Sequence, residues 1–252
     1  MLNQMSHPTP LKSVNNVKRL HLAASRFERL QPQTIELMAT PAWIHLGESE
    51  STWQSRFRDS FQVGNWTTCA RILYRAIRPR YTPAQLETFY SNTDFRPFNY
   101  RSGDRFDFPD NNFDFVYSEH FLEHLFIDEA LELLKECHRI LKPGGVVRIV
   151  TPDADLRTYE KPETAGFPGD RVPWTHPDKH KSRWSIYSLN LVMQMAHLKP
   201  NPLMYCDKHG QFIKSIPASD AAEYANSTDK SLIHTFDYIK RLPSLIVDGI
   251  KI

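Results

Sequence analysis

The stretch from residue 110 to residue 150 constrains the fold more than any other part of this sequence. It opens with the turn residues Asp110-Asn111-Asn112 and continues with an aromatic and β-branched strand candidate, FDFVY at 113–117. Apolar residues at helical spacing follow, namely Ile127, Ala130, Leu131, Leu134, Cys137 and Leu141. Lys142-Pro143-Gly144-Gly145 ends that helix, and VVRIV at 146–150 is a nearly continuous apolar strand. This order of elements predicts a βαβ unit, and therefore a parallel sheet covered on both faces.

Weaker patterns on both sides extend this unit into one α/β domain over residues 18–252. Residues 1–17 are polar, and we expect them to form a flexible leader. Further strands are predicted at Lys18–Ala24, Trp43–Leu46, Leu203–Cys206 and Ser244–Ile252, and further helices at Pro32–Thr40 and Tyr187–Leu198. A chain of 252 residues is long enough for one domain of this class.

Residues 49–94 differ in character and predict a helical insertion rich in arginine and aromatic residues. Residues 49–101 contain eight arginines and four acidic residues, which gives this stretch a local charge of +4. Thr82-Pro83 has the pattern of an N-cap followed by proline in the first helical turn. Two interpretations remain open. The guanidinium groups could bind an anionic acceptor such as a sugar phosphate, or they could form the solvated face of helices packed on the core.

Composition and charge argue against several classes of protein. The net charge of +2 gives no general attraction to nucleic acid, and no nucleic-acid motif is present. No run approaches the ~18–20 apolar residues that span a bilayer, and the polar start does not resemble a signal peptide. The three cysteines, Cys69, Cys137 and Cys206, are far apart and odd in number, which predicts free thiols in a cytoplasmic protein.

The central segment, FDFPDNNFDFVYSEHFLEHLFIDEALELLKECHRILKPGGVVRIVTPD at 106–153, resembles the class I S-adenosylmethionine-dependent methyltransferases of the type 11 kind. The resemblance implies a Rossmann-like, mostly parallel, seven-stranded sheet with helices on both faces, and S-adenosylmethionine as the cofactor. His180-Lys181, Trp184, Tyr205-Cys206-Asp207 and the final SLIVDGIK resemble a subgroup of predicted methyltransferases associated with cell-surface glycans.

The resemblance also implies a set of cofactor-binding residues. Leu22, Ala23, Ala24 and Glu48 would line the methionine and ribose side, Tyr100, Asp104 and Phe106 would approach the adenine, and Ser118 and Glu119 would face cofactor and substrate. The sequence departs from the family at two of these places. The family's glycine-rich loop reads Leu-Ala-Ala-Ser at 22–25, and the acid expected at Gly47 comes one residue later. Alanine disfavours the positive φ that such a loop often needs.

Two histidines are candidate general bases for an acceptor hydroxyl. His180, in the sequence HPDKH at 176–180, is the first choice because it matches the subgroup's pattern, and His120 is the second. An imidazole whose pKa lies near ~6.5 is suited to proton transfer at neutral pH. A solvent-exposed loop histidine is an equally good interpretation of His180.

His120-Phe121-Leu122-Glu123-His124 also has the H-x-x-E-H spacing of inverted zinc proteases. That motif belongs inside a long helix, whereas here it follows a strand directly. The alternative interpretation is that Glu123 and His124 cap the next helix, and we expect no bound metal.

Two functional hypotheses follow from the sequence. The first is a methyltransferase that moves a methyl group from S-adenosylmethionine to an oxygen, or a nitrogen, of a small-molecule or glycan-type acceptor. The second is a degenerate methyltransferase fold that acts as a binding or regulatory partner. The missing glycines favour the second, and the intact central segment favours the first. The oligomeric state is left open by the sequence.

Overall fold

A computed structural model describes residues 18–24, 43–48, 50–77, 81–156, 180–215 and 244–252. Its strands are β1 (Arg19–Ala24), β2 (Trp43–Glu48), β3 (Asp94–Phe98), β4 (Phe113–Glu119), β5 (Leu141–Pro152), β6 (Leu198–Cys206), β7 (Phe212–Lys214) and β8 (Ser244–Lys251). Its helices are α1 (Glu50–Gln62), α2 (Trp66–Ile77), α3 (Pro83–Asn92), α4 (Ile127–Ile140) and α5 (Ile186–Met195). The predicted leader at 1–17 and the predicted helix at Pro32–Thr40 lie outside the described residues.

The strands form a single mixed sheet in the order β3-β2-β1-β4-β5-β8-β6-β7. The first five strands in that order pair in parallel, which is the doubly wound arrangement. β8 is antiparallel to both β5 and β6, so β6 runs in the same direction as the parallel strands. Among the described residues the sheet has eight strands instead of the expected seven, because the short β7 adds an antiparallel edge strand to β6.

α4 and α5 cover one face of the sheet and form the main core with it. Leu20, Val116 and Val147 face this core from three adjacent strands. From α4, the buried side chains are Ala130, Leu133, Leu134, Cys137 and Ile140. This stripe differs from the predicted one, since Ile127 is exposed and the helix ends before Leu141, which begins β5. The predicted helix is therefore confirmed, but its buried face is rotated.

The connection from β2 to β3 is built from α1, α2 and α3, which together occupy most of the predicted insertion. α3 begins as the sequence predicts. The hydroxyl of Thr82 accepts a hydrogen bond from the backbone N–H of Gln85 at 3.3 Å, and Pro83 opens the helix. This cap satisfies a backbone donor that a helix start otherwise leaves without a partner.

The turn inside β5, between the paired residues Leu141 and Val146, depends on two glycines. Gly144 has a φ of +77°, a conformation that side chains disfavour. Gly145 is needed for space, because a Cβ there would lie 2.8 Å from the carbonyl oxygen of Lys142. Close to this turn, Arg148 of β5 and Asp248 of β8 form a buried bidentate ion pair with N–O distances of 2.7 and 2.8 Å.

All three cysteines are buried free thiols, as the sequence predicts. Burial raises the pKa of the Cys137 thiol well above its ordinary value. The thiol therefore stays uncharged, which suits a small core residue on the apolar stripe of α4. No helix among the described residues is both long and apolar enough to span a bilayer.

Candidate active site at the carboxyl ends of the parallel strands

The register of the sheet places several predicted cofactor residues at one edge. Leu22 of β1 pairs with Leu46 of β2 and with Ser118 of β4. Beyond a bulge, Ala24 pairs with Gly47. Because these strands are parallel, the backbone of Ala23, Ala24, Glu48 and Glu119 also lies at this edge. Ligands of doubly wound sheets bind beyond the carboxyl ends of the strands, so this is the edge at which a nucleoside cofactor would be held.

The side chains at this edge point in different directions. Leu22 is fully buried in the core below α4, so only its backbone is available to a ligand. Ser118 is 1% exposed, and its Oγ has no hydrogen-bond partner within the described part of the chain. Glu119 lies on the opposite face of β4 and accepts a hydrogen bond from the Tyr117 hydroxyl at 3.0 Å. A buried hydroxyl without a hydrogen-bond partner is expected where a bound polar ligand would supply that partner.

The three residues predicted to approach the adenine are engaged in holding the fold. The Tyr100 hydroxyl donates to the carbonyl oxygen of Glu129 at 2.9 Å, and burial raises the pKa of Tyr100 far above its ordinary value. Phe106 is buried, and its N–H donates to Glu136 at 2.6 Å. Asp104 is exposed and closes a turn by accepting from the Arg101 N–H at 2.7 Å.

His120 is the first residue after β4, and its backbone is unusual. Its φ is +50°, in the left-handed region that non-glycine residues rarely adopt. The conformation is held by a hydrogen bond from the His120 N–H to the carbonyl oxygen of Val150 in β5, at 2.9 Å. As a result the imidazole turns toward the short 3-10 turn at Leu122–His124, where Nδ1 lies 2.8 Å from Oε1 of Glu123. Strain of this kind is concentrated at functional sites.

Glu123 is a buried carboxylate held by two donors. Its second oxygen accepts a hydrogen bond from the Thr151 hydroxyl of β5 at 3.1 Å. Burial alone would raise the pKa of Glu123, but the hydrogen bond and charge of His120, with the charge of His124, bring it below the ordinary value. Burial alone would lower the pKa of His120, but the hydrogen bond and charge of Glu123, with the charge of Glu119, raise it. In this buried pair the carboxylate therefore favours the protonated form of the imidazole, and the imidazole favours the ionised form of the carboxylate.

The segment that begins at His180 packs against the same turn. The N–H of Lys181 donates to the carbonyl oxygen of Glu123 at 2.8 Å, and the Ser182 hydroxyl donates to that of Leu122 at 3.1 Å. The rings of His124 and His180 meet edge to face, with centroids 5.5 Å apart. The fold thus gathers both histidines proposed from the sequence around one turn. His176 lies outside the described residues.

Among the described residues, Glu123, His124 and His180 have ligand atoms within 4.8 Å of one another, close enough to consider a metal ion. The set differs from the H-x-x-E-H expectation, since His180 takes the place of His120. The carboxylate of Glu123 already lies against the imidazole of His120 and accepts a hydrogen bond from the Thr151 hydroxyl. The ammonium group of Lys181 also lies 3.2 Å from the His124 carbonyl oxygen, and its positive charge opposes a bound cation.

Sequence reasoning missed two polar residues at the carboxyl end of β5. Thr151 and Asp153 are both fully buried. Asp153 accepts a hydrogen bond from the Cys206 N–H at 2.6 Å and forms a backbone bridge with Trp184, and burial raises its pKa. The signal was present, because polar residues directly after a buried parallel strand lie at the edge where ligands bind.

The strand order defines a doubly wound, Rossmann-like α/β fold, and the buried Ser118 hydroxyl and the His120–Glu123 pair lie at the carboxyl ends of its parallel strands. Residues 64–149, about a third of the chain, match the type 11 methyltransferase family model, described as a methyltransferase domain. None of the curated proteins compared with this chain matches it. The family match supports a class I S-adenosylmethionine-dependent methyltransferase, and S-adenosylmethionine is the cofactor it implies.

Solved structures include distant likenesses. A S-adenosylmethionine-dependent methyltransferase from Archaeoglobus fulgidus is 14% identical, with a TM-score of 0.47, and the likeness covers 93% of this chain and 86% of that one. A S-adenosylmethionine-dependent methyltransferase from Mesorhizobium loti is also 14% identical, with a TM-score of 0.46 and coverage of 96% and 94%.

Proposed function

We propose that this chain transfers the methyl group of S-adenosylmethionine to an oxygen, or less readily a nitrogen, of a small-molecule or glycan-type acceptor, with His120 as the general base. The observation that carries the proposal is the pair of His120 and Glu123, buried at the carboxyl end of β4. The glycan-type acceptor is supported by the sequence resemblance of the His180 segment and of the final strand.

Ser118 is the described side chain best placed to hold the cofactor. Its buried hydroxyl, beside the ends of β1 and β2, can donate to or accept from a bound polar group. The backbone of residues 22–24 and of Glu48 borders the same edge and is proposed to hold the methionine and ribose portions. When bound there, S-adenosylmethionine supplies an electrophilic methyl group on a sulfonium.

The imidazole of His120 is proposed to remove the proton of the acceptor hydroxyl as the new bond to carbon forms. Because Nδ1 is directed at Glu123, Nε2 is the nitrogen that receives this proton. Glu123 then lies next to the imidazolium and stabilises its charge, and Thr151 keeps the carboxylate in place. His180, which packs on His124, is the second candidate base.

The first experiment is calorimetric titration with S-adenosylmethionine and S-adenosylhomocysteine, followed by acceptor screening with labelled methyl groups. Once an acceptor is found, His120→Gln should lower kcat by about 10²–10⁴-fold, the usual contribution of a general base. Affinity for S-adenosylhomocysteine should change little, because the glutamine keeps the shape of the turn.

His138→Gln, on the outer part of α4, is the matched control and should retain full activity. A large loss in His180→Ala combined with a normal rate in His120→Gln would assign the base to His180. Normal rates in both variants would remove both histidines from the mechanism. A folded protein that binds neither compound up to millimolar concentration would favour the degenerate, partner-binding alternative.

A further inference from the structure

The carboxylate of Glu123 lies beside three imidazoles. Nδ1 of His120 is 2.8 Å from its Oε1. The side-chain oxygen or nitrogen atoms of Glu123, His124 and His180 lie within 4.8 Å of one another, and the rings of the last two meet edge to face at 5.5 Å. We name these four residues the Glu123 cluster. The mechanism proposed for methyl transfer uses only His120 and Glu123 as a pair, and it leaves two more imidazoles at the same carboxylate.

The members of the Glu123 cluster differ in their access to solvent. Glu123 is buried, and so is Nε2 of His120, the nitrogen proposed to receive the proton of the acceptor. His124 and His180 are both half-buried. A proton taken up by His120 therefore lies at a buried atom, whereas the other two imidazoles can exchange protons with water.

The charge around the Glu123 cluster limits how many imidazoles can be protonated together. Among the described residues, two charged groups from neighbouring elements face it. Glu119 of β4 raises the pKa of His120 by its charge, and the ammonium group of Lys181 lies 3.2 Å from the His124 carbonyl oxygen. The group contributed by β5 is the uncharged hydroxyl of Thr151. One buried carboxylate favours a first imidazolium, but a second one beside it meets repulsion.

We propose that His120, His124 and His180 share one proton beside Glu123, and that proton uptake by His120 releases the proton held by His124 or His180 to solvent. In the active form His120 is neutral. The acceptor hydroxyl gives its proton to Nε2 of His120 as the bond to the methyl carbon forms, and His124 or His180 gives one proton to water. Each methyl transfer thus releases one proton without exposing His120.

This inference rests on the proposed role of His120 as the general base. His124 and His180 are then positioning residues, because they act through Glu123 on how readily His120 gains and loses its proton. The charge of His124 already helps to lower the pKa of Glu123, which is the expected effect of a second imidazole at this carboxylate.

The test is an NMR titration of the histidine imidazoles of the full chain across neutral pH, which needs no acceptor. Groups that share a proton titrate in broad curves with more than one step, whereas independent groups follow single-step curves. In His124→Gln or His180→Gln, the pH at which His120 gains its proton should rise, because a competing cation has been removed. In His120→Gln, the titration of the remaining partner should rise by a similar amount, since coupling between sites is reciprocal.

His138→Gln is the matched control. His138 of α4 also lies beside another histidine, His197, with ring centroids 6.1 Å apart. Burial, with the charges of Lys251 and His197, lowers the pKa of His138, and no carboxylate appears among these causes. The variant removes one imidazole of a histidine pair and should leave the titration of the Glu123 cluster unchanged.

The proposal is overturned if His120 titrates at the same pH in both His124→Gln and His180→Gln as in the wild-type chain, or if His138→Gln moves it as much as they do. A shift in only one of the two variants supports the proposal and identifies the histidine that releases the proton. Coupled titration in a chain that methylates no acceptor would refute the proposed function but not the shared proton. Independent titration in an active enzyme would refute the shared proton alone.

Discussion

Replacing Glu123 with glutamine tests the central feature of the site. Glutamine keeps the length and shape of the side chain and can still hydrogen-bond to Thr151, but it has no charge. In the native protein the hydrogen bond and charge of Glu123 raise the pKa of His120 against the effect of burial. Glu123→Gln removes these two effects and leaves burial, the largest effect, opposed only by the charge of Glu119, so the pKa of His120 should fall below its ordinary value of 6.5.

The stability change should depend on pH in a definite way. The lowered pKa of Glu123 stabilises the fold above the unfolded value of 4.5, and this is lost as pH falls through the folded pKa. The raised pKa of His120 stabilises the fold below the unfolded value of 6.5, and this is lost as pH rises through the folded pKa. Both contributions are therefore complete between pH 4.5 and 6.5.

Within that window, loss of a buried hydrogen bond between charged groups should cost about 2 kcal/mol in the free energy of unfolding. For a chain of this length, that corresponds to a fall in Tm of roughly 4–8 °C. Urea unfolding at several pH values measures the free energy, and NMR titration of the imidazole nitrogens measures the pKa. Glu132→Gln, at an exposed pair with Lys135, is the control and should change stability by less than ~0.5 kcal/mol. An unaltered His120 titration in Glu123→Gln, or a stability loss that does not vary with pH, would refute the reasoning.

Two further predictions concern the scaffold. Gly145→Ala places a Cβ against the Lys142 carbonyl oxygen and should lower the free energy of unfolding, measured by thermal unfolding, by about 1–3 kcal/mol. Gly144→Ala has open space around the new Cβ but a positive φ, and it should lower the free energy of unfolding by about 1–2 kcal/mol. A larger loss in Gly144→Ala than in Gly145→Ala would contradict the role given to Gly145. Arg148→Met leaves the buried carboxylate of Asp248 without its partner and should cost about 3–5 kcal/mol in urea unfolding. The double variant Arg148→Met/Asp248→Leu should recover most of that loss, and failure to recover would mean that packing at this position matters more than charge.

The parts of the fold that the sequence predicts correctly are those with a local signal. β4, α4 and β5 follow one another with alternating patterns and a glycine stop, and each is present in the structure. β3 was not predicted, because Asp94–Phe98 is short, contains Pro97 and is mostly exposed. It is a strand only because it pairs along β2 at the edge of the sheet. β7 escaped prediction for the same reason, since its three residues depend on pairing with β6.

In the candidate site, too, the features with a local sequence pattern could be predicted and those that depend on distant contacts could not. His120 and His180 could be named as candidates because each has a recognisable pattern around it. The positive φ of His120 could not be predicted, since it depends on a hydrogen bond to Val150, which is thirty residues away in the chain. The burial of Tyr100 and Phe106 could not be predicted, because aromatic residues near a ligand edge and aromatic residues in a core have the same appearance in a sequence.

The two functional hypotheses make different demands on the buried pair. The residues that would contact the cofactor belong to the ends of β1, β2 and β4, whereas Glu123 is held by Thr151 of β5 and by the backbone of Lys181. The absence of glycines at residues 22–25 therefore affects the affinity for the cofactor, but it does not affect the geometry of His120 and Glu123. A buried ion pair contributes little net stability, because desolvation offsets the attraction, and apolar residues can replace it without loss. The scaffold alone does not require a strained His120 beside a buried carboxylate, so this arrangement favours the active methyltransferase over the degenerate alternative.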